Sequence, residues 1–400
     1  MTPASPQRYD GRDLGATPHI AVLGSCKLGN FVVTLPLLRA LRRRYPLAQV
    51  DFWGSDATRD FEEALREGEP ALLNWRISWD QSSNNAWQHL AMEASKRNGP
   101  ISSGGAGPLD LVINCDGFNP ITQVLASWLR PAWVAGGSLT ANARQELAWG
   151  QEPQQRFLAD QDWDSPHFVE RYGGLFTSNY IAELLCRMAF LEPTQWELEQ
   201  INLPWVEPGF PVPPLLIHCT TTRAAKIWPF NRWATVLQWC ADQGIGVGLV
   251  GAPPARQAED YHAGNGETQL LERFGAGGDQ SIPGRPLVDL RGRTSLIELA
   301  GACRAAQAVV SVDAGPLHIA AAMGTPVLAV VGNDAAGLGA SPVRLWLPRA
   351  RQLTRTISSA SCDGCEGLRY RNDACIADRH HCMEGVEPQQ VIHWLAECLL

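Results

Sequence analysis

Residues Val288–Gly332 read VDLRGRTSLIELAGACRAAQAVVSVDAGPLHIAAAMGTPVLAVVG. Apolar runs in this stretch alternate with helix-like segments, a pattern that predicts a parallel α/β sheet. One buried strand is predicted to end at Asp313, where the chain turns directly into a short helix. Because open α/β sheets bind ligands at the carboxyl ends of their strands, the turn after Asp313 is a candidate ligand site.

The residues of this turn suit a phosphorylated ligand. The turn runs through Ala314, and the predicted helix start offers free backbone N–H groups to a phosphate. Gly315 lets the backbone approach a ligand closely, and Pro316 suits the first helical turn. Asp313 can accept hydrogen bonds from sugar or ribose hydroxyls, and His318 can donate to a phosphate oxygen. The alternative is that Asp313 caps the helix and His318 packs in the core.

The same alternation extends over the chain and predicts two α/β halves with a Pro-rich linker between them. A polar, Pro- and Gly-containing N-terminal segment without an apolar core is predicted to be a loose arm. The predicted divisions are an arm over 1–18, a first Rossmann-like domain over 19–194, a linker over 195–214, a second Rossmann-like domain over 215–387 and a final helix over 388–400.

Composition places the 400-residue chain among ordinary globular proteins, with 45% hydrophobic and 18% charged residues. A formal net charge of −8 argues against a general nucleic-acid partner, which a basic field would attract. No run approaches the roughly 20 apolar residues that a membrane span needs. These features predict a cytoplasmic protein whose thiols stay reduced.

A second chemical motif is HCTTTRAAKIWPFNRWATVL, from His218 to Leu237. A predicted strand leads into a Thr-rich loop, and Thr220, Thr221 and Thr222 offer hydroxyls and turn amides to phosphate oxygens. Lys226 adds a compact positive charge. The alternative for Lys226 is a solvated surface lysine.

A third motif is HIAVLGSCKLGNFVVTLPLLRALRRRYP, from His19 to Pro46. A Gly-containing loop between a strand and a helix also fits a dinucleotide-dependent oxidoreductase, but the third glycine of that fingerprint is missing. The Arg cluster that follows is either a solvated helix face or a surface for an anionic acceptor or the inner membrane. It consists of Arg39, Arg42, Arg43 and Arg44.

Together the three motifs resemble glycosyltransferase family 9, the ADP-heptose:lipopolysaccharide heptosyltransferases. The resemblance implies a GT-B-like fold, with two Rossmann-like domains facing across a cleft, and inverting transfer of a heptose from an ADP-sugar to an acceptor hydroxyl. The acceptor would be a glycan, a lipid-linked sugar or a protein, and a homo-oligomer would be compatible with it. Lys226 would neutralise the leaving diphosphate, so no catalytic metal is expected. The implied donor-binding residues are Thr220, Thr221, Thr222, Lys226, Asp313, Ala314, Gly315, Pro316 and His318.

One residue departs from the family pattern. The family has Asp after Leu-Gly as its proposed general base, and this chain has Asn30. A neutral amide does not take a proton from a hydroxyl in the usual way, although it can position an acceptor. Asp116 is the first candidate for a substitute base. The alternative for Asp116 is a loop carboxylate that only binds nearby backbone amides. Asp56 is a further candidate base. A sugar-nucleotide-binding scaffold without catalysis is the other interpretation.

Four of the eleven cysteines cluster near the C-terminus, at Cys362, Cys365, Cys375 and Cys382. Their spacing in a Gly-, Asp- and Arg-rich segment predicts a structural tetrathiolate site for zinc or iron. Relatives that glycosylate autotransporter proteins are similar in having a Cys-bound iron. Reduced thiols or two disulfides are the alternatives.

Overall fold

The structure is a computed structural model that describes residues 6–80, 85–160, 163, 167–262, 264–276, 284–332, 343–360 and 380–400. The chain forms two compact units, which divide between Leu198 and Glu199, within the predicted linker. Each unit is built on a six-stranded sheet, and all strand pairings in both sheets are parallel. The predicted pair of Rossmann-like domains is therefore confirmed.

The sheet of the first unit has the order β1-β6-β5-β2-β3-β4. Its strands are β1 (Gln7–Arg8), β2 (His19–Leu23), β3 (Gln49–Gly54), β4 (Trp75–Ser78), β5 (Leu111–Asn114) and β6 (Trp133–Gly136). The helices up to the division are α1 (Leu28–Val32), α2 (Leu35–Arg44), α3 (Arg59–Glu67), α4 (Ala86–Arg97), α5 (Pro120–Trp128), α6 (Pro153–Ala159), α7 (Phe168–Arg171), α8 (Ile181–Met188) and α9 (Gln195–Glu199).

The sheet of the second unit has the order β12-β11-β10-β7-β8-β9. Its strands are β7 (Leu215–His218), β8 (Val247–Leu249), β9 (Leu287–Asp289), β10 (Ala308–Val312), β11 (Val327–Val330) and β12 (Leu353–Arg355). Its helices are α10 (Phe230–Gln243), α11 (Pro254–Asp260), α12 (Gly266–Phe274), α13 (Leu296–Ala305), α14 (Gly315–Ala322), α15 (Val343–Trp346), α16 (His381–Glu384) and α17 (Pro388–Leu399).

The strand order reverses direction once in each sheet. In the first sheet, β2 lies beside both β3 and β5, and in the second, β7 lies beside both β8 and β10. Such a switch point leaves a crevice at the carboxyl ends of the two diverging strands. The topology therefore marks the ends of β2 and β5 in one unit, and of β7 and β10 in the other, as places for ligands.

Buried strands and amphipathic helices explain why these segments fold as they do. All five residues of β2 and all five of β10 are buried, as expected for parallel strands covered on both faces. Ser295 begins α13 with a reciprocal capping box that includes Glu298. The final helix α17 buries Val391 and Leu395 in the core that α10 shares with the second sheet.

The N-terminal arm differs from its prediction. Gln7 and Arg8 pair in parallel with β6, and Tyr9 is buried. The guanidinium of Arg8 donates to the carbonyls of Gly136, Leu147 and Ala148, and its centre lies 3.8 Å from the centroid of the Trp149 ring. A two-residue strand leaves no periodicity in the sequence, and contacts with distant residues hold it in place.

Strands β4 and β12 are also not predicted. Each lies at the edge of its sheet and is only partly buried, so it lacks the continuous apolar run of the central strands. Among the helices that the structure describes, none combines the length and the apolar character needed to cross a membrane.

Replacing Arg8 with Ala should lower the free energy of unfolding by about 2 kcal/mol, since it leaves part-buried carbonyls without their donor. Urea unfolding followed by circular dichroism would measure the loss. Arg66→Ala is the matched control, because Arg66 pairs with Glu67 in an exposed position and its removal should change stability by less than about 0.5 kcal/mol. Equal stability of the two variants would show that the arm is loose after all.

Candidate active site

The second unit brings the two C-terminal motifs of the sequence together. Strand β10 pairs with β7 in a register that places Ser311 opposite His218. The loop that begins at Cys219 and the turn that begins at Asp313 therefore leave the sheet side by side. Their adjacency follows from the strand order, since the two motifs are distant in sequence.

Buried tryptophans hold the loop that carries Lys226. Lys226 ends a single 3₁₀ turn, Ala224–Lys226. Two residues later the fully buried Trp228 donates from Nε1 to the carbonyl of Val386 at 3.0 Å and meets Trp233 edge-on, with 4.9 Å between ring centroids. Pro229 then precedes α10. The Trp-Pro pair of the motif thus fixes the backbone next to Lys226.

Lys226 and Asp313 form the central ion pair of this site. Lys226 Nζ lies 2.7 Å from Asp313 Oδ2, and His318 Nε2 lies 3.8 Å from Asp313 Oδ1. Burial by itself would raise the pKa of Asp313, but the charge of Lys226 and the nearby imidazole of His318 outweigh it and hold this pKa well below its usual range. Asp313 is therefore a carboxylate throughout the physiological pH range.

The turn into α14 leaves a backbone donor available at Gly315. Ala314 is the residue before the helix, in extended conformation, and no side chain caps α14. Asp313 is thus not a helix cap. Pro316 has no N–H and the Leu317 N–H donates to the Ala314 carbonyl at 3.1 Å, so the N–H at the start of this turn that is left for a ligand is that of Gly315. Pro316 lies in the first turn as predicted. His318 is buried, and within the described residues its Nδ1 has no hydrogen-bond partner, which a ligand or a water molecule would supply.

The three threonines after β7 differ in their surroundings. Thr220 is fully buried and Thr221 nearly so, whereas Thr222 is exposed. Thr220 faces Glu267, the buried carboxylate at the start of α12. The Thr220 side chain therefore lies behind the loop, and Thr222 is the threonine whose side chain is open to solvent.

A buried charge network lies behind this loop. Arg291 donates to Glu267 at 2.8 Å and forms two 2.8 Å hydrogen bonds with Asp289 through Nε and Nη2. Burial raises the pKa of Glu267, although Arg291 acts in the opposite direction. The network joins the end of β9 to the start of α12, and in the sequence these three residues are only scattered charges.

In the first unit, Asn30 orders the loop after β2. Its Nδ2 donates to Ser25 Oγ at 3.0 Å, and its carbonyl accepts a hydrogen bond from Thr34 Oγ1 at 2.8 Å. Trp79 donates from Nε1 to the carbonyl of Gly24 at 2.9 Å and fixes the start of the same loop. Trp79 follows β4, a strand without a sequence signal, so its part in this loop is visible only in the structure.

Asp116 lies at the other side of the switch point, since β5 places Asn114 opposite Leu23 of β2. The Asp116 carboxylate accepts a hydrogen bond from the side-chain amide of Asn119 at 3.1 Å. Burial raises the pKa of Asp116, and the opposing effects of Asn119 and Lys27 are smaller. The alternative for Asp116 was a carboxylate bound by backbone amides, whereas the observed donor to this carboxylate is the side-chain amide of Asn119.

Asp56 has the opposite electrostatic character. It accepts hydrogen bonds from Ser78 Oγ at 2.6 Å and from Arg59 Nη2 at 2.5 Å, and these contacts lower its pKa. A carboxylate with a raised pKa is the stronger base, so the two environments favour Asp116 over Asp56 for proton removal.

Two predicted groups remain, the arginine cluster of α2 and the four clustered cysteines. Arg42 donates to the carbonyl of Ala48 at 2.7 Å and to Asn74, and Arg43 pairs with Glu197, so these two arginines hold neighbouring segments together. Cys382 lies in α16. Cys362, Cys365 and Cys375 lie outside the described residues.

Two Rossmann-like units, one with a lysine–aspartate pair at its switch point, define a class of α/β protein whose ligands bind at the carboxyl ends of the strands. The model of glycosyltransferase family 9 (heptosyltransferase) matches residues 134–360, more than half of the chain. The chain therefore belongs to this family. This assignment excludes the alternative of a dinucleotide-dependent oxidoreductase.

Comparisons with individual proteins agree with this assignment. The chain is 24% identical over 341 residues to lipopolysaccharide heptosyltransferase 1 of Pseudomonas aeruginosa, covering 78% of each chain. A family 9 glycosyltransferase from Veillonella parvula has a similar fold, with a TM-score of 0.62, 16% identity and coverage of 96% of this chain and 97% of that one. The structure of Escherichia coli heptosyltransferase WaaC with ADP gives a TM-score of 0.58, at 17% identity over 95% and 99% of the two chains.

Replacing Lys226 with Ala should destabilise the protein by about 3 kcal/mol at pH 7, because it leaves the buried charge of Asp313 without its partner. The pKa of Asp313 is depressed in the folded state, so its stabilising contribution is complete above the unfolded carboxyl pKa of about 3.9 and is lost as the pH falls through the folded value. The difference in the free energy of unfolding between wild type and variant should thus become smaller below about pH 4.

Urea unfolding of wild type and variant at about pH 7 and about pH 3.5 would measure the stability difference at each pH. Lys96→Ala is the matched control, since Lys96 pairs with Glu93 on an exposed helix face. A Lys226→Ala variant as stable as this control would show that the ion pair is too solvated to contribute.

Proposed function

We propose that the chain is an inverting glycosyltransferase that moves a heptose, or a closely related sugar, from an ADP-sugar to an acceptor hydroxyl. The observation that carries the donor assignment is the Lys226–Asp313 pair beside the uncapped start of α14. A cation and a free N–H at a helix start suit a diphosphate, and a buried carboxylate suits sugar or ribose hydroxyls. The similar enzyme WaaC has a structure with ADP, which supports the choice of nucleotide. The product would serve cell-envelope glycan synthesis or protein glycosylation in the cytoplasm.

Lys226 would stabilise the leaving group. As the bond between the anomeric carbon and the diphosphate breaks, negative charge grows on the phosphate oxygens. The ammonium of Lys226 and the N–H of Gly315 are fixed before this charge develops, so they need no reorganisation. A protein cation in this position makes a catalytic metal unnecessary.

Asp116 would act as the general base. It would take the proton of the acceptor hydroxyl while the oxygen attacks the anomeric carbon, and the raised pKa favours this transfer. Asn30 would orient the acceptor loop through its hydrogen bond to Ser25. In this assignment the amide at position 30 positions groups and does not exchange protons.

The cysteine cluster would hold a structural metal ion, with iron and zinc both suited to four thiolates. The ligands would be Cys362, Cys365, Cys375 and Cys382. The backbone next to Cys382 packs tightly on the sheet edge, because a Cβ at Gly332 would lie 2.2 Å from the Cys382 carbonyl oxygen. A metal would bind the preceding segment to this fixed point.

Elemental analysis of the purified chain should find about one metal ion per molecule, and Cys362→Ser/Cys365→Ser should lose it. Cys240→Ser, at a buried thiol elsewhere in the second unit, controls for the loss of a cysteine as such. A metal content that does not change in the double variant would contradict the proposal.

Lys226→Ala should lower kcat with ADP-heptose by about 100-fold or more, because the transition-state charge loses its cation. Asp116→Asn should lower kcat by about 100- to 10,000-fold. Asp56→Asn, at the same sheet edge, should cause a much smaller loss. Release of ADP measured with a coupled assay would report all three. Full activity of both Lys226→Ala and Asp116→Asn would refute the assignment.

The pH profile tests the base separately. A base must be ionised, so kcat/KM should fall as the pH is lowered through the pKa of Asp116, which burial has moved above its usual range. Asp116→Glu should keep an acidic limb, whereas the residual activity of Asp116→Asn should lack it. If Asn30→Asp instead raised the activity and introduced a new acidic limb in the pH profile of kcat/KM, the wild-type chain would lack a general base and Asp116 would not have that role.

A further inference from the structure

A buried histidine lies at the amino end of β2, whereas the loop that carries Asn30 follows the carboxyl end of the same strand. The side chain of His19 is only 2% exposed, and both of its ring nitrogens contact oxygen atoms. Nδ1 lies 2.8 Å from the carbonyl oxygen of Gly107, and Nε2 lies 2.8 Å from Oδ2 of Asp51. A carbonyl and a carboxylate accept hydrogen bonds, so each contact calls for an N–H on the ring.

The carboxyl group of Asp51 does not supply the missing proton. Arg97 donates to both of its oxygens, from Nη2 to Oδ1 and from Nε to Oδ2, at 2.8 Å each. A bidentate contact of this kind is the one that a guanidinium makes with a carboxylate. A neutral imidazole at His19 would therefore direct an unprotonated nitrogen at one of its two oxygen partners, and the lone pairs would repel each other. The geometry fits the doubly protonated ring.

Three charged side chains belong to the hydrogen-bond network of His19, and together they favour a cation there. Asp51 lies on β3, and Arg97 ends α4. Asp110 precedes β5, and its Oδ2 accepts a hydrogen bond from the backbone N–H of His19 at 2.8 Å. Arg97 also donates to the uncharged side chain of Gln49 at 3.0 Å. Two carboxylates and one guanidinium leave one negative charge, which an imidazolium balances.

The contact between His19 and Gly107 closes a glycine-rich loop. This loop, residues 98–108, connects α4 with the residues that lead into β5. At its start, Arg97 is held by Asp51, and at its end, the Gly107 carbonyl is held by His19. The His19–Asp51 pair thus fastens both ends of the loop to the sheet, and the imidazole ring is the link to the second end.

We propose that His19 is a proton-dependent clamp for the loop 98–108. The doubly protonated ring donates to Gly107 and Asp51 at once and keeps the loop closed. When one ring proton passes to water, it leaves from Nδ1, because the Nε2–H stays with the anionic Asp51. The lone pair of Nδ1 then repels the Gly107 carbonyl, and the loop opens. The closed loop is therefore the form at lower pH and the open loop the form at higher pH. The inference does not depend on the proposed function.

Nitrogen NMR of the full chain with isotope-labelled histidine rings would test the clamp in wild type. While the loop is closed, both ring nitrogens of His19 should have the chemical shifts of protonated nitrogen. As the pH rises, Nδ1 should move to the shift of an unprotonated nitrogen and Nε2 should keep its proton. The signals of His19 are those that disappear in His19→Gln. A ring with only one proton while the loop is closed would overturn the inference.

Hydrogen exchange followed by mass spectrometry would report on the loop itself. The amides of Ala106 and Gly107 donate to carbonyls at the start of the loop and are protected while it is closed. After correction for the intrinsic pH dependence of exchange, this protection should fall by about 10-fold or more, as expected for the loss of a hydrogen bond from a charged group. The fall should have the same midpoint as the loss of the His19 ring proton.

Two variants complete the test. His19→Gln has a single side-chain nitrogen and no charge, so the loop should be poorly protected at every pH. His393→Gln is the matched control and should behave as wild type, because the side chain of His393 is 80% exposed on α17. Loop protection that does not follow the titration of the His19 ring, or a His19→Gln variant that protects the loop as wild type does, would contradict the clamp. If His19→Gln does not fold, the two wild-type titrations decide.

Discussion

The pairing of β10 with β7 is the constraint on which the donor site depends. It sets the Asp313 turn beside the Lys226 loop, and the resulting 2.7 Å ion pair keeps a buried carboxylate charged. Without Lys226, burial would favour the protonated acid, which would be a poorer acceptor for hydroxyls. The strand order thus determines the electrostatics of the site, because it is the topology that unites two motifs from distant parts of the chain.

Environment, more than residue type, sets the pKa values of the carboxylates at these sheet edges. Asp313 is stabilised as an anion by a lysine, Asp56 by an arginine and a serine, and Asp116 alone among these three has a raised pKa. A group that must take up a proton needs the third environment, and a group that binds hydroxyls needs the first. Residue identity cannot distinguish these cases, since all three are aspartates at the ends of parallel strands.

The sequence predicts the parts of the molecule that obey periodicity. The buried strand that is predicted to end at Asp313 corresponds to β10, which ends one residue earlier, because its apolar pattern is strong. Short elements held by distant contacts, such as β1 with Arg8, are not predicted. In the site, Lys226 and Asp313 are candidates from sequence and do meet, whereas the burial of Thr220 against Glu267 involves a partner that no local pattern reveals.

The amide at position 30 is best understood as a change of charge without a change of loop geometry. Asn30 donates to Ser25 Oγ at 3.0 Å, and an aspartate at this position could accept from the same hydroxyl. The loop therefore does not require asparagine. A carboxylate here would, however, add a negative charge three residues from Lys27, the cation that also interacts with Asp116. With a neutral side chain at position 30, Asp116 keeps the raised pKa that burial gives it at this switch point, and the proposed base role of Asp116 depends on that environment.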